Sequence, residues 1–190
     1  MPLDGQGRLP WLQANLEMTQ MMKRLMVTGA LLVMAGAAAM AGPERIQFPK
    51  GYETTFSNYM NAERQNKKQL ARFYANDIAV EGAKNGGELP DGSILIMEVY
   101  KAKANDAGEP MRSKNLDRLI RGDLAAVMVK QKGAGWGKDY TGDKMNVGDW
   151  EFAGFNADGS RLDKNFADCR SCHSALKDSN FVFSREHLGK

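Results

Sequence analysis

The pattern of apolar and polar residues from position 48 onward consists of short apolar segments separated by Gly, Pro and Asp-Gly turns. Segments of this length, rich in β-branched and aromatic residues, are typical of strands. They predict strands over residues 55–62, 69–75, 93–103, 125–131, 150–155 and 180–184. Residues 93–103 are apolar on both faces, which places this strand at the centre of the predicted sheet.

Two helical segments accompany these strands. Asn76 is a suitable N-cap for a short helix that continues to about Lys84 and ends at Gly86-Gly87. A second helical stretch follows the turn at Asp158-Gly159. Because strands dominate, we predict an α+β fold built on an antiparallel, sheet-rich domain with a few short helices. A four-helix bundle is not expected, since several segments lack the helical period.

The first 41 residues are expected to lie outside the folded domain, which then spans residues 42–190. Residues 21–24 are a basic segment that begins with Met, residues 25–38 are an uncharged apolar run, and residues 39–41 form a small-x-small cleavage pattern. Residues 1–20 precede this signal peptide as an N-terminal extension. An uncleaved anchor is the alternative, but the run is shorter than the ~20 residues that span a bilayer. The prediction is export to the periplasm, with no stable membrane insertion after cleavage.

The composition is that of an ordinary globular protein. Lys and Arg number 26 against 23 Asp and Glu, giving a formal net charge of +3. No block of basic residues occurs, so nothing favours nucleic acid as a partner.

The only two cysteines lie in Cys169-Arg170-Ser171-Cys172-His173, which is the C-x-x-C-H signature of covalent haem attachment. On a helical turn the two thiols share a face and reach the two vinyl groups of one porphyrin, while His173 lies beneath the iron as an axial ligand. The motif predicts one covalently bound haem c. A redox-active C-x-x-C pair would need a thioredoxin-like context, and a zinc site would need more ligands than His187 supplies.

The motif lies near the C-terminus, with no Met after His173 in the sequence. The sixth iron ligand must therefore come from upstream, come from His187, or be absent. His187 lies in a polar segment, where a solvated surface imidazole is the ordinary interpretation and bis-histidine ligation is the alternative.

Over residues 48–184 the chain resembles the cytochrome P-460 family and its gas-binding relatives, the beta-type cytochromes c-prime. The resemblance rests on Tyr74-Ala75-Asn76-Asp77, Leu89-Pro90-Asp91-Gly92-Ser93, Gly135-Trp136-Gly137, Gly148-Asp149-Trp150-Glu151-Phe152, and Cys169 to His173 followed by Phe181-Val182-Phe183. It implies a sheet-rich haem pocket, His173 as proximal ligand, and an apolar distal side that leaves iron open to small nitrogen oxides.

One position departs from the enzymatic members of that family, in which a lysine after Pro-Asp-Gly is cross-linked to the porphyrin and hydroxylamine is oxidised. The matching residue here is Met97, which has no amine and cannot form that cross-link. Using Lys101 or Lys103 instead would require a register change of the strand. Met97 is expected to pack on the haem edge, with service as a sixth ligand as the alternative.

Glu151 shares a strand face with Ala153 and Phe155, an unusual place for a carboxylate unless it is paired or used. The resemblance implies a distal catalytic base at this position. The alternative is a Glu at the sheet rim that faces water or pairs with a Lys. Trp136 and Trp150 are expected to pack in the core or against haem.

The resemblance implies a haem protein that binds or redox-converts NO or hydroxylamine at a five-coordinate iron, together with a redox partner protein. It leaves open whether the protein is an oxidoreductase or only a binding protein. A six-coordinate electron-transfer cytochrome c is the alternative function. Relatives with this fold are often dimers, so a homodimer is compatible with the resemblance, although no residue pattern marks an interface.

Overall fold

The structure, a computed structural model, describes residues 42–190, so the predicted extension and signal peptide lie outside the described residues. Five strands form one sheet in the order β1-β2-β3-β4-β5, and every neighbouring pair is antiparallel. Their bounds are Ser57–Glu63, Gln69–Ala75, Ile94–Ala102, Arg121–Lys132 and Trp150–Phe155. The predicted α+β fold with an antiparallel sheet is confirmed, and so is the central position of β3.

Within residues 42–190, three short α-helices accompany the sheet: α1 at Tyr52–Thr55, α2 at Asp77–Lys84 and α3 at Ala167–Ser174. Single turns of 3-10 helix occur at Gly42–Arg45, Trp136–Asp139, Lys177–Ser179 and Arg185–His187. Among the described residues, no helix is long and apolar enough to cross a membrane.

The N-cap of α2 forms as the sequence predicts. The Asn76 side-chain oxygen accepts hydrogen bonds from the backbone N–H groups of Ala79, at 3.1 Å, and Ile94, at 3.0 Å. One side chain therefore satisfies the first turn of α2 and also fixes the start of β3.

The predicted strand at residues 180–184 is wrong. Asn180 and Phe181 have φ angles of 57° and 59°, in the left-handed region that no strand uses. Their backbone N–H groups form local hydrogen bonds, since that of Asn180 donates to the Lys177 carbonyl at 3.1 Å and that of Phe181 to the Leu176 carbonyl at 2.7 Å. The segment alternates because it is a turn that packs Val182 into the core. It pairs with none of the described strands.

The two faces of the sheet carry two separate apolar clusters. On one face Leu95, Trp150 and Phe152 pack with Phe166 and Val182 from the C-terminal segment. On the other face the N-terminal segment packs on the sheet, and this cluster comprises Ile46, Tyr52, Tyr74, Ile96, Val127, Val129, Ala153 and Phe155. The strand alternation places these sets on opposite sides.

Candidate functional site

A cavity of about 460 Å³ lies between the first of these faces and the C-terminal segment. Its walls are almost entirely apolar. The sheet lines the cavity with two rows of side chains that run across its strands. One row is Phe73, Met97 and Met128 on β2, β3 and β4. The other is Leu95, Lys130 and Phe152 on β3, β4 and β5. A cavity of this size and polarity is typical of a site for a small organic ligand or cofactor.

Helix α3 brings Cys169, Cys172 and His173 together on the wall of this cavity. Both cysteines are free thiols, Cys169 half-buried and Cys172 exposed. Burial raises the pKa of the Cys169 thiol, which therefore stays protonated near neutral pH. The three side chains that the sequence predicts as haem-binding residues are thus brought to one place.

The His173 ring is held on several sides. Its Nδ1–H donates to the Phe181 carbonyl at 2.7 Å, and its ring lies 5.1 Å from the Phe152 ring and 5.0 Å from the Phe183 ring. Desolvation, followed by the charge of Lys130, lowers the pKa of His173 to about 4. The imidazole is therefore neutral at pH 7, and Nε2 is the nitrogen left to bind a metal.

Lys130 is a site residue that the sequence pattern does not reveal. It is buried, lines the cavity, and its Nζ donates to the same Phe181 carbonyl that His173 uses. Burial, followed by the charge of Arg170, lowers the pKa of Lys130 well below its usual range. One sequence feature could have pointed to it: strand alternation places Lys130 on the same face of β4 as Met128, which also lines the cavity.

Glu151 does not line the cavity. Its Oε1 accepts a hydrogen bond from Arg170 Nη2 at 3.0 Å, and its Oε2 accepts one from the Tyr140 hydroxyl. The carboxylate and the guanidinium are both fully buried. This geometry favours the alternative of a paired carboxylate, with Arg170 rather than a Lys as the partner, and the distal-base role of Glu151 stays a prediction.

Arg170 lies inside the C-x-x-C-H motif at a position where any residue is accepted. Its guanidinium also donates to the carbonyls of Trp150, at 2.9 Å, and Met145, at 3.2 Å, and it stacks over the Tyr140 ring at 3.1 Å from the centroid. These contacts fasten α3 to β5 and to the loop before it. No motif signals this role.

Met97 lines the cavity from the central strand, and its Sδ accepts a contact from Arg64 Nη1 at 3.5 Å. Lys101 and Lys103 are exposed and are not among the lining residues, so neither reaches the cavity with β3 in this register. Both interpretations of Met97, haem-edge packing and iron ligation, stay predictions.

The remaining candidates lie elsewhere. His187 is half-exposed, with Nε2 3.3 Å from Glu186, and it does not line the cavity. Trp150 is buried beneath Nζ of Lys130, and Trp136 packs against Gly133 and Arg45. In the part of the chain that the structure describes, no group of three or more His, Cys, Asp or Glu is arranged to hold a metal ion directly.

The donor set fits an iron porphyrin: two free thiols and an imidazole with one free nitrogen, on the wall of an apolar cavity. A fold and a site of this kind define a haem-binding cytochrome. The family model for cytochrome P460 matches residues 49–184, so the chain belongs to the cytochrome P460 family and the cofactor is haem. No curated protein matches this chain.

Proposed function

We propose that this protein is a periplasmic c-type cytochrome with one haem, bound covalently through Cys169 and Cys172 and axially through His173. The observation that carries the proposal is the meeting of these three side chains on one wall of an apolar cavity. The Phe181 carbonyl engages Nδ1 of His173 and so orients Nε2 as the metal ligand. Thioether bonds from the two thiols would hold the porphyrin in the cavity.

The proposal extends to a five-coordinate iron that binds or redox-converts small nitrogen species such as NO or hydroxylamine. Among the described residues that line the cavity, His173 is the only imidazole. The Met97 thioether is already contacted by the Arg64 guanidinium. An apolar pocket admits a small neutral ligand such as NO without the desolvation cost of a charged one. Any net oxidation would pass electrons to a redox partner protein.

A six-coordinate electron-transfer cytochrome is the second candidate. One observation favours it: the thioethers of Met97 and Met128 both line the cavity. A thioether ligand would close the iron to NO and raise its reduction potential. The two candidates therefore differ in whether iron has an open position in the resting protein.

Covalent attachment is tested by producing the protein with a haem c maturation system and staining a denaturing gel for haem. The unaltered protein should retain haem on the gel. Cys169→Ser and Cys172→Ser should each weaken retention, and the double variant should abolish it. Ser171→Ala, between the two cysteines, is the matched control and should retain haem fully. Haem retained in the double variant would overturn the proposed attachment.

Ligand chemistry is tested by titrating the reduced holoprotein with NO and by measuring hydroxylamine oxidation with an added electron acceptor. Because Met97 cannot form the cross-link of the enzymatic relatives, we expect NO binding with little hydroxylamine turnover. Robust turnover would show that this reaction does not need the lysine. Failure to bind either ligand would contradict the proposed open iron.

A further inference from the structure

The backbone carbonyl of Phe181 accepts hydrogen bonds from two side chains that belong to different parts of the fold. His173 Nδ1, from α3, lies 2.7 Å from this oxygen. Lys130 Nζ, from β4, donates to the same oxygen. A carbonyl has two lone pairs, so the two donors occupy its full capacity.

Two features of this arrangement are energetically unfavourable: a left-handed backbone at Asn180 and Phe181, and a buried lysine. Asn180 and Phe181 are consecutive residues in the left-handed region, with φ angles of 57° and 59°, which is rare for a bulky residue such as Phe181. Lys130 is buried and takes part in no ion pair found among the described residues. Its Nζ instead lies 4.4 Å from the Trp150 ring centroid and 5.3 Å from that of Phe152.

Lys132 shows that burial of a lysine on this strand face does not require the Phe181 carbonyl. Two residues further along β4, its Nζ pairs with Glu88 at 2.5 Å and donates to the Leu89 carbonyl at 2.8 Å. Lys132 thus has a carboxylate partner, whereas Lys130 donates to the Phe181 carbonyl, which also accepts from His173.

We propose that Lys130 is a positioning residue that sets the electron donation of His173 to iron through the Phe181 carbonyl they share. The inference rests on the proposed ligation by His173. A carbonyl that already accepts from a lysine is a weaker acceptor for the Nδ1–H bond, so the imidazole keeps less anionic character. A less anionic imidazole stabilises ferric iron less, and the reduction potential is higher than it would be without Lys130.

The test compares Lys130→Met with Lys132→Met in the holoprotein. Each substitution removes one buried lysine from the same strand face. We expect the midpoint potential of Lys130→Met to shift downward, and the iron–histidine stretching band of the ferrous protein to shift to higher frequency. Lys132→Met should leave the stretching band in place and change the potential less. Equal shifts in both variants, or no shift in Lys130→Met, would overturn the proposal.

A Lys130→Gln variant keeps a hydrogen-bond donor at this position on a shorter side chain and guards against loss of folding in Lys130→Met. Its stretching band should fall between those of the unaltered protein and the Met variant, and a band at the unaltered frequency together with an unaltered potential would contradict the proposal. His173→Gly distinguishes a failure of the proposed ligation by His173 from a failure of the proposed tuning by Lys130. If its iron spectrum equals that of the unaltered protein, the ligation itself fails. If His173 is required while Lys130 has no effect, only the tuning fails.

Discussion

Arg170 and Glu151 form a fully buried ion pair, with Nη2 3.0 Å from Oε1, that joins the C-x-x-C-H motif to the edge strand of the sheet. A buried pair contributes little net stability over an apolar pair, but removal of one partner leaves an uncompensated buried charge. The pair therefore makes the position of α3 depend on β5.

Glu151→Ala is expected to destabilise the holoprotein by about 3 kcal/mol, because it leaves the Arg170 guanidinium buried without its carboxylate. Urea denaturation followed by fluorescence measures the change. Glu186→Ala removes an exposed carboxylate and should change the free energy of unfolding by less than about 0.5 kcal/mol. Equal stabilities for the two variants would contradict the structural role.

The same Glu151 variant tests the distal-base prediction. Because the carboxylate does not line the cavity, the folded fraction of Glu151→Ala should keep the NO affinity of the unaltered protein and any hydroxylamine turnover. A loss of turnover in fully folded protein, with NO affinity retained, would assign Glu151 a catalytic role instead.

Met97→Leu tests whether the thioether packs or ligates. Leu is similar in volume and apolar, so packing on the haem edge would be preserved and the iron spectrum should not change. Met128→Leu, in the paired position on β4, is the matched control. A change from low-spin to high-spin iron in Met97→Leu alone would identify Met97 as the sixth ligand.

Asn76→Ala is expected to lower the free energy of unfolding by about 1–2 kcal/mol, because the side chain caps α2 and also accepts a hydrogen bond from the backbone N–H of Ile94. Asn85→Ala, at the other end of the same helix, is the control and should cost less than about 0.5 kcal/mol. Chemical denaturation at pH 7 provides both values. The cap assignment fails if the two substitutions have the same effect.

Lys130 predicts a pH dependence of stability. Burial lowers the pKa of Lys130 in the folded protein, whereas an unfolded lysine keeps a pKa of about 10.4. Between these pKa values the unfolded state binds the extra proton, so this group makes stability rise with pH and fall as pH decreases.

The measurement is the free energy of unfolding of the holoprotein from pH 7 to pH 9.5, compared with that of Lys130→Met. One group contributes at most about 1.4 kcal/mol per pH unit. As pH rises, the free energy of unfolding of the unaltered protein should increase relative to that of Lys130→Met. Parallel pH profiles would contradict the lowered pKa.

Local sequence features predicted most of the sheet, because its strands combine apolar alternation with clear turns. Residues 69–75 and 150–155 are strands with the predicted bounds, and Asn76 is the cap it was expected to be. The segment at 180–184 was predicted wrongly because a left-handed Phe181 is held by contacts with α3 and β4, which no local pattern encodes.

The site was predictable only where a motif fixes spacing. Cys169, Cys172 and His173 are adjacent in sequence, so their meeting at one wall follows from a helical turn. Lys130 reaches the cavity, and Arg170 reaches Glu151, through tertiary contacts between segments that are distant in sequence. A Lys at an alternating position on a strand ordinarily indicates a solvated face. For Glu151 the local alternation correctly indicated an unusual carboxylate, but the partner, Arg170, lies 19 residues away.

The absorption spectrum of the reduced holoprotein, recorded before and after addition of one equivalent of NO, tests the central claim most directly. An open, His173-ligated iron predicts a broad high-spin band without ligand and a new spectrum when NO binds. Sharp α and β bands in the absence of any added ligand, unchanged by NO, would contradict the account and establish a closed electron-transfer haem.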